Sequence, residues 1–219
     1  MNSETLPLEY VIKKSVKKAK FSPVIFMLHG YGSNEDDLFS FAEELPEEYT
    51  VISFRAPHSL PEFGYAWYAI DFTNAEDKWS DHEQAIASRD LLVDCFEKAC
   101  QMFKLDKRNI TLLGFSQGCI LSLAIALSYP RLIKNVVGLS GYVNEDIIAD
   151  DFRTKNHSAL HAYVSNGTSD QVIPIDWARK TPGILQPLGV NLTYEEFAVG
   201  HGVSAQNFYS FREWLKSKL

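Results

Sequence analysis

The chain has 219 residues, 46% of them hydrophobic and 22% charged, with a formal net charge of -7 at neutral pH. That length and balance suit a single folded domain, 1–219, with a sizeable core, and the negative charge disfavours nucleic acid as a partner. No apolar run reaches bilayer-spanning length, which argues against integral membrane association.

In chain order, residues 1–10 lack the basic segment and apolar stretch of a signal peptide. A first strand is expected over 9–16, where Lys13, Lys14, Lys17, Lys18 and Lys20 read as the charged dressing of a sheet edge. An apolar strand over 24–28 runs into the loop His29-Gly30-Tyr31-Gly32, and Ser33 with Asp36 fits an S-x-x-D start for a helix over 35–44. After a strand over 51–55 comes the longest irregular stretch, 56–79, holding Phe63, Tyr65, Trp67, Tyr68, Phe72 and Trp79. Loops of that length are often functional; these rings either form a binding wall or small lid, or seal the sheet edge. Ser80 and Glu83 give a capping box for a helix over 80–103.

Strands are expected next over 110–113, 136–139, 160–164 and 192–197, with helices over 117–129, 175–188 and 202–218; Pro182 and Gly183 weaken the middle helix. Alternation of strand and helix predicts an α/β fold, a mainly parallel sheet with helices on both faces. Only 141–159 separates the strands at 136–139 and 160–164, too short for a large cap domain. The three cysteines, Cys95, Cys100 and Cys119, are an odd count beside helical residues and read as reduced thiols, which makes the cytoplasm the expected compartment.

The densest chemical signal is Gly114-Phe115-Ser116-Gln117-Gly118, set between a buried strand and an almost wholly apolar helix. G-x-S-x-G in that setting is a nucleophile elbow: the turn lifts the serine clear of the sheet and aims the opening N–H groups of the helix at charge developing beside it. A serine hydroxyl needs a base. Of six histidines, His201 in Gly200-His201-Gly202 occupies a tight loop after a strand. His58, His82, His157 and His161 lack that setting, and the last two lack a metal-binding pattern. Asp170, in the turn-rich Gly167-Thr168-Ser169-Asp170 after another strand, is the best-placed acid; Asp146, Asp150, Asp151 and Asp176 compete on chain order alone. Serine, acid, histidine is the order expected of an α/β-hydrolase. The oxyanion donors would be the backbone N–H groups of Gln117 and Tyr31.

These motifs, with Arg55-Ala56-Pro57, Ala66-Trp67-Tyr68 and Leu139-Ser140-Gly141, resemble the phospholipase/carboxylesterase family, which includes acyl-protein thioesterases and small bacterial carboxylesterases. The match runs from about Pro23 to the C-terminus, in order. One departure is Ser33-Asn34, where the family's loop often carries Asp, a difference read as capping. The resemblance implies an α/β-hydrolase fold and a serine hydrolase with Ser116, Asp170 and His201 as triad. Its substrates would be carboxylic esters, lysophospholipids or protein thioesters, with no cofactor and no metal, and Trp67 and Tyr68 would line the acyl side. A non-catalytic ligand-binding protein on the same fold and a peptidase are the rival readings. The oligomeric state is open, a homodimer included.

Overall fold

The computed structural model describes residues 5–71 and 79–219. Its strands and α-helices, in chain order, are β1 (Tyr10–Lys13), β2 (Ser22–Leu28), α1 (Asp36–Phe39), β3 (Thr50–Phe54), β4 (His58–Leu60), β5 (Gly64–Ala66), β6 (Ile70–Asp71), β7 (Trp79–Ser80), α2 (His82–Met102), β8 (Leu105–Phe115), α3 (Gln117–Ser128), β9 (Asn135–Leu139), β10 (His161–Gly167), α4 (Ile175–Ala178), α5 (Thr181–Leu185), β11 (Asn191–Phe197) and α6 (Ala205–Lys216). Seven strands form one sheet in the order β1-β3-β2-β8-β9-β10-β11. All pairs are parallel except β1 with β3. This is the α/β architecture expected from the alternation, and lysine-bearing β1 is an edge strand.

Strand periodicity builds a core on each face of the sheet. Along β2, Val24, Phe26 and Leu28 join a cluster with residues of α2 and α3, where the Phe26 and Phe96 rings stack at 4.3 Å. Ile25 and Met27 point the other way, against Phe208, Phe211 and Leu215 of α6. Burial on both faces explains why the central strands read as continuous apolar runs rather than alternating ones. Every residue of α3 is buried, so this helix packs over the centre of the sheet. Among the described residues no helix is long and apolar enough to cross a membrane.

Several local expectations are corrected. The 35–44 helix is α1 followed by a separate 3-10 turn, Ala42–Glu44; the Ser40 hydroxyl donates to Asp37 O at 2.7 Å and competes with helical bonding. Ser33 does not cap it. Its backbone pairs with Tyr65, its hydroxyl donates to Asp37, and Asn34 Oδ1 accepts from Asp36 N instead. Ser80 lies in β7, so the cap of α2 is Asp81, which accepts from Gln84 N at 3.0 Å. The described part of the 56–79 stretch is not irregular: β4 and β5 form a hairpin, and β6 pairs antiparallel with β7. Phe72 lies outside the described residues. The 175–188 helix is broken into α4 and α5, as its Pro-Gly pair suggested. Between β9 and β10 the chain makes only two 3-10 turns, Glu145–Ile147 and Phe152–Thr154, and builds no large cap.

Candidate active site

In chain order the sheet grows one way from β2 to β3 and the other way to β8, so the switch point lies between β2 and β8. Loops leaving the carboxyl ends of strands at such a point frame a crevice, and the loop 29–33 after β2 and the turn after β8 meet there. The turn is forced by contact. A Cβ on Gly118 would sit 2.0 Å from Leu28 O, and one on Gly114 would sit 2.3 Å from Gly118 O. Only glycine lets α3 start that close to β2 and β8. Between them Ser116 takes φ 53° and ψ -117°, a region non-glycine residues seldom visit. Holding it costs on the order of 1–3 kcal/mol and is typical of functional turns.

Ser116 Oγ lies 2.9 Å from His201 Nε2, and His201 Nδ1 lies 2.7 Å from Asp170 Oδ2. The three residues follow β8, β10 and β11. An ionised carboxylate only accepts, so Nδ1 carries the proton and Nε2 is left to accept from the serine hydroxyl. The other carboxylate oxygen, Asp170 Oδ1, accepts from Val172 N at 2.8 Å and Ile173 N at 2.9 Å. The Asp170 side chain is thereby pinned at both oxygens and is 1% exposed. The Phe115 ring lies 4.9 Å from the imidazole of His201 and limits its tilt. Asp176 is elsewhere: its side chain is 86% exposed, beside Arg179. Of the other histidines, buried His157 bonds Phe152 O.

The loop carrying Tyr31 is held from beneath. His29 Nδ1 donates to Gly30 O at 2.7 Å, its Nε2 accepts from Ala56 N at 3.1 Å, and burial depresses its pKa, so the ring is held neutral. Gly32 N donates to Tyr65 O and Tyr65 N to Ser33 O. The Arg55 guanidinium lies 4.8 Å from the Tyr65 ring and pairs with the buried carboxylate of Glu35, which it holds below the usual carboxylate range. Gln117 opens α3, where the first N–H groups have no helical acceptor. Its side chain has a second task that no motif signals: Oε1 accepts from Trp67 N at 2.8 Å and Nε2 donates to Tyr68 O at 2.7 Å.

The aromatic pair splits. Trp67 is fully buried, its Nε1 donating to His29 O at 2.9 Å, so it supports the loop from below and does not line the cleft as expected. Tyr68 lines the cleft, together with Tyr31, Ser116, Gln117, Ile70, Ile120, Tyr142, Ile173 and Trp177. The last five carry no sequence motif, since they come from four separate segments of the chain.

The family model described as Phospholipase/Carboxylesterase matches residues 9–219. Acyl-protein thioesterase 1 of Yarrowia lipolytica is 28% identical over 173 residues, 74% of this chain and 75% of that protein. A probable carboxylesterase of Oryza sativa is 28% identical over 112 residues, 51% of this chain and 42% of that protein. The crystal structure of the Bacillus cereus carboxylesterase superposes with a TM-score of 0.84 at 22% identity, covering 100% of this chain and 96% of that one. That likeness establishes the α/β-hydrolase fold.

Proposed function

Since the chain belongs to the phospholipase/carboxylesterase family, we propose that it is a serine hydrolase of carboxylic esters or thioesters in which Ser116, His201 and Asp170 carry acyl transfer. The observation that bears most weight is the continuous relay from Ser116 Oγ through His201 to Asp170 Oδ2, at 2.9 and 2.7 Å. In this reading His201 Nε2 takes the proton as Ser116 Oγ attacks the substrate carbonyl, and Asp170 stabilises the resulting imidazolium. The N–H groups of Tyr31 and Gln117 receive the oxyanion, a contribution of about 3 kcal/mol per donor. His201 then protonates the departing alcohol, or a thiolate leaves with less help. Water, activated by the same imidazole, releases the acid from the acyl-enzyme.

The substrate is a small-molecule ester or thioester, with an acylated lipid or protein as the larger alternatives. Three buried thiols, Cys95, Cys100 and Cys119, support a reducing compartment such as the cytoplasm. A fluorophosphonate probe should label wild-type protein at Ser116, with hydrolysis of p-nitrophenyl butyrate lost in step. Ser116→Ala should neither label nor turn over. Labelling at another residue, or turnover by the variant above a few per cent, would remove Ser116 from the mechanism.

A further inference from the structure

Three tyrosines line the cleft beside Ser116, and two of them, Tyr68 and Tyr142, have no part in the acyl transfer described above. Tyr68 is 2% exposed and lines the cleft, and Tyr142 lines it too. Other buried tyrosines satisfy their hydroxyls with protein: Tyr49 Oη donates to Leu215 O and Tyr163 Oη to Glu195 Oε2. By contrast, neither the Tyr68 nor the Tyr142 hydroxyl has a hydrogen-bond partner among the described residues. Tyr142 is only partly buried, and neither hydroxyl is sealed off from solvent, so water partners both until a ligand fills the cleft and must then offer a partner or leave the phenols unpaired. Burial raises the pKa of each, so both remain neutral O–H groups that can donate as well as accept. The Tyr142 ring is edge-on to Trp177 at 5.4 Å, which fixes its direction.

The remaining lining narrows the ligand. Ile70, Ile120, Val172, Ile173 and Trp177 are apolar, Ser80 and Gln117 are polar but uncharged, and among the described residues no lysine or arginine lines the cleft. A carboxylate there would lose its hydration with no countercharge. A neutral oxygen would lose less and would gain a donor. The cleft is also small, about 60 Å³, against about 570 Å³ for the surface hollow around Tyr129. A short chain suits it better than a long one.

We infer that Tyr68 and Tyr142 form a polar subsite for a neutral oxygen on the acyl group, so that short hydroxyacyl esters or thioesters are preferred to plain alkanoates of the same length. The inference rests on the serine-hydrolase reading above and adds the substituent that the acyl group carries. The preference arises because an unsubstituted chain leaves both phenols unpaired when it displaces water, the asymmetry that makes polar sites discriminating.

The test compares kcat/KM for p-nitrophenyl 2-hydroxybutyrate, 3-hydroxybutyrate and butyrate in wild type, Tyr68→Phe and Tyr142→Phe. The ratio of the better hydroxy ester to butyrate should fall about tenfold in Tyr68→Phe, the scale of one neutral hydrogen bond, with a smaller fall in Tyr142→Phe. A variant that merely loosens the fold lowers all three rates together and leaves the ratio alone. An unchanged ratio in both variants overturns the subsite while hydrolysis of butyrate by Ser116 stands. Wild-type protein that turns over none of the three, and that no fluorophosphonate labels at Ser116, overturns the hydrolase reading and the subsite with it.

Discussion

Replacing Asp170 with Asn tests whether the relay works through the tautomer of His201. The amide keeps the size of the carboxylate but has one donor end and one acceptor end. Its orientation is decided by the far side of the group, where Asp170 Oδ1 accepts from both Val172 N and Ile173 N. With its oxygen there, Asn keeps two hydrogen bonds; reversed, it loses both and sets an NH₂ against two N–H groups. At about 1 kcal/mol per bond, and more for buried donors left unsatisfied, the first orientation wins by at least tenfold. The NH₂ then faces His201 Nδ1, which must accept, and the imidazole proton moves to Nε2. A protonated Nε2 cannot take the proton of Ser116. The loss should approach the ~10⁴ in kcat seen when a triad carboxylate becomes its amide, about 5.5 kcal/mol at 1.36 kcal/mol per decade. Steady-state hydrolysis of p-nitrophenyl butyrate measures it, with thermal melting as the fold control. Asp176→Asn, at an exposed position beside Arg179, should stay within about twofold of wild type. If Asp170→Asn keeps more than about 1% of kcat, or if Asp176→Asn loses more, the reasoning is refuted.

Three further outcomes follow from the same contacts. Ser116→Gly should abolish turnover yet raise the melting temperature, because glycine relieves the strain of φ 53°, worth on the order of 1 kcal/mol; a lower melting temperature would contradict the strained elbow. Trp67→Ala should destabilise by about 3–5 kcal/mol, the usual cost of truncating a fully buried aromatic, and should lower kcat alike for acetate, butyrate and octanoate esters. A chain-length-dependent rise in KM would return Trp67 to the acyl wall. His29 has a folded-state pKa depressed below 6.5 by burial, so between that lowered pKa and 6.5 the unfolded chain binds the extra proton. Its contribution to stability is complete above pH 6.5 and is lost as pH falls through the folded value. Melting temperature against pH should therefore decline less steeply on the acid side in His29→Gln than in wild type; parallel curves would show that His29 is not the group responsible.

The sequence by itself determined the order of the seven main-sheet strands and of the long helices between them, the elbow at Ser116, and the positions of Asp170 and His201 at the ends of strands. Those features are local: an apolar run between turn residues, two glycines where backbones touch, a histidine between glycines. They can be read because each depends on residues a few positions apart. What tertiary structure decided depends on residues far apart in the chain. Trp67 and Tyr68 are neighbours of similar character, and only packing sends one beneath the His29 loop and the other into the cleft. Ser33 had the right spacing for a cap, but Tyr65, on a hairpin thirty-odd residues later, claims its backbone, and Asn34 is the side chain that accepts from Asp36 N. Gln117 reads as a backbone donor in the motif; its side chain clamps a segment fifty residues away. The choice between Asp170 and Asp176 likewise needed the distance to His201, because chain order constrains which strand end a carboxylate can follow, whereas a hydrogen bond across the crevice exists only once β10 and β11 lie side by side.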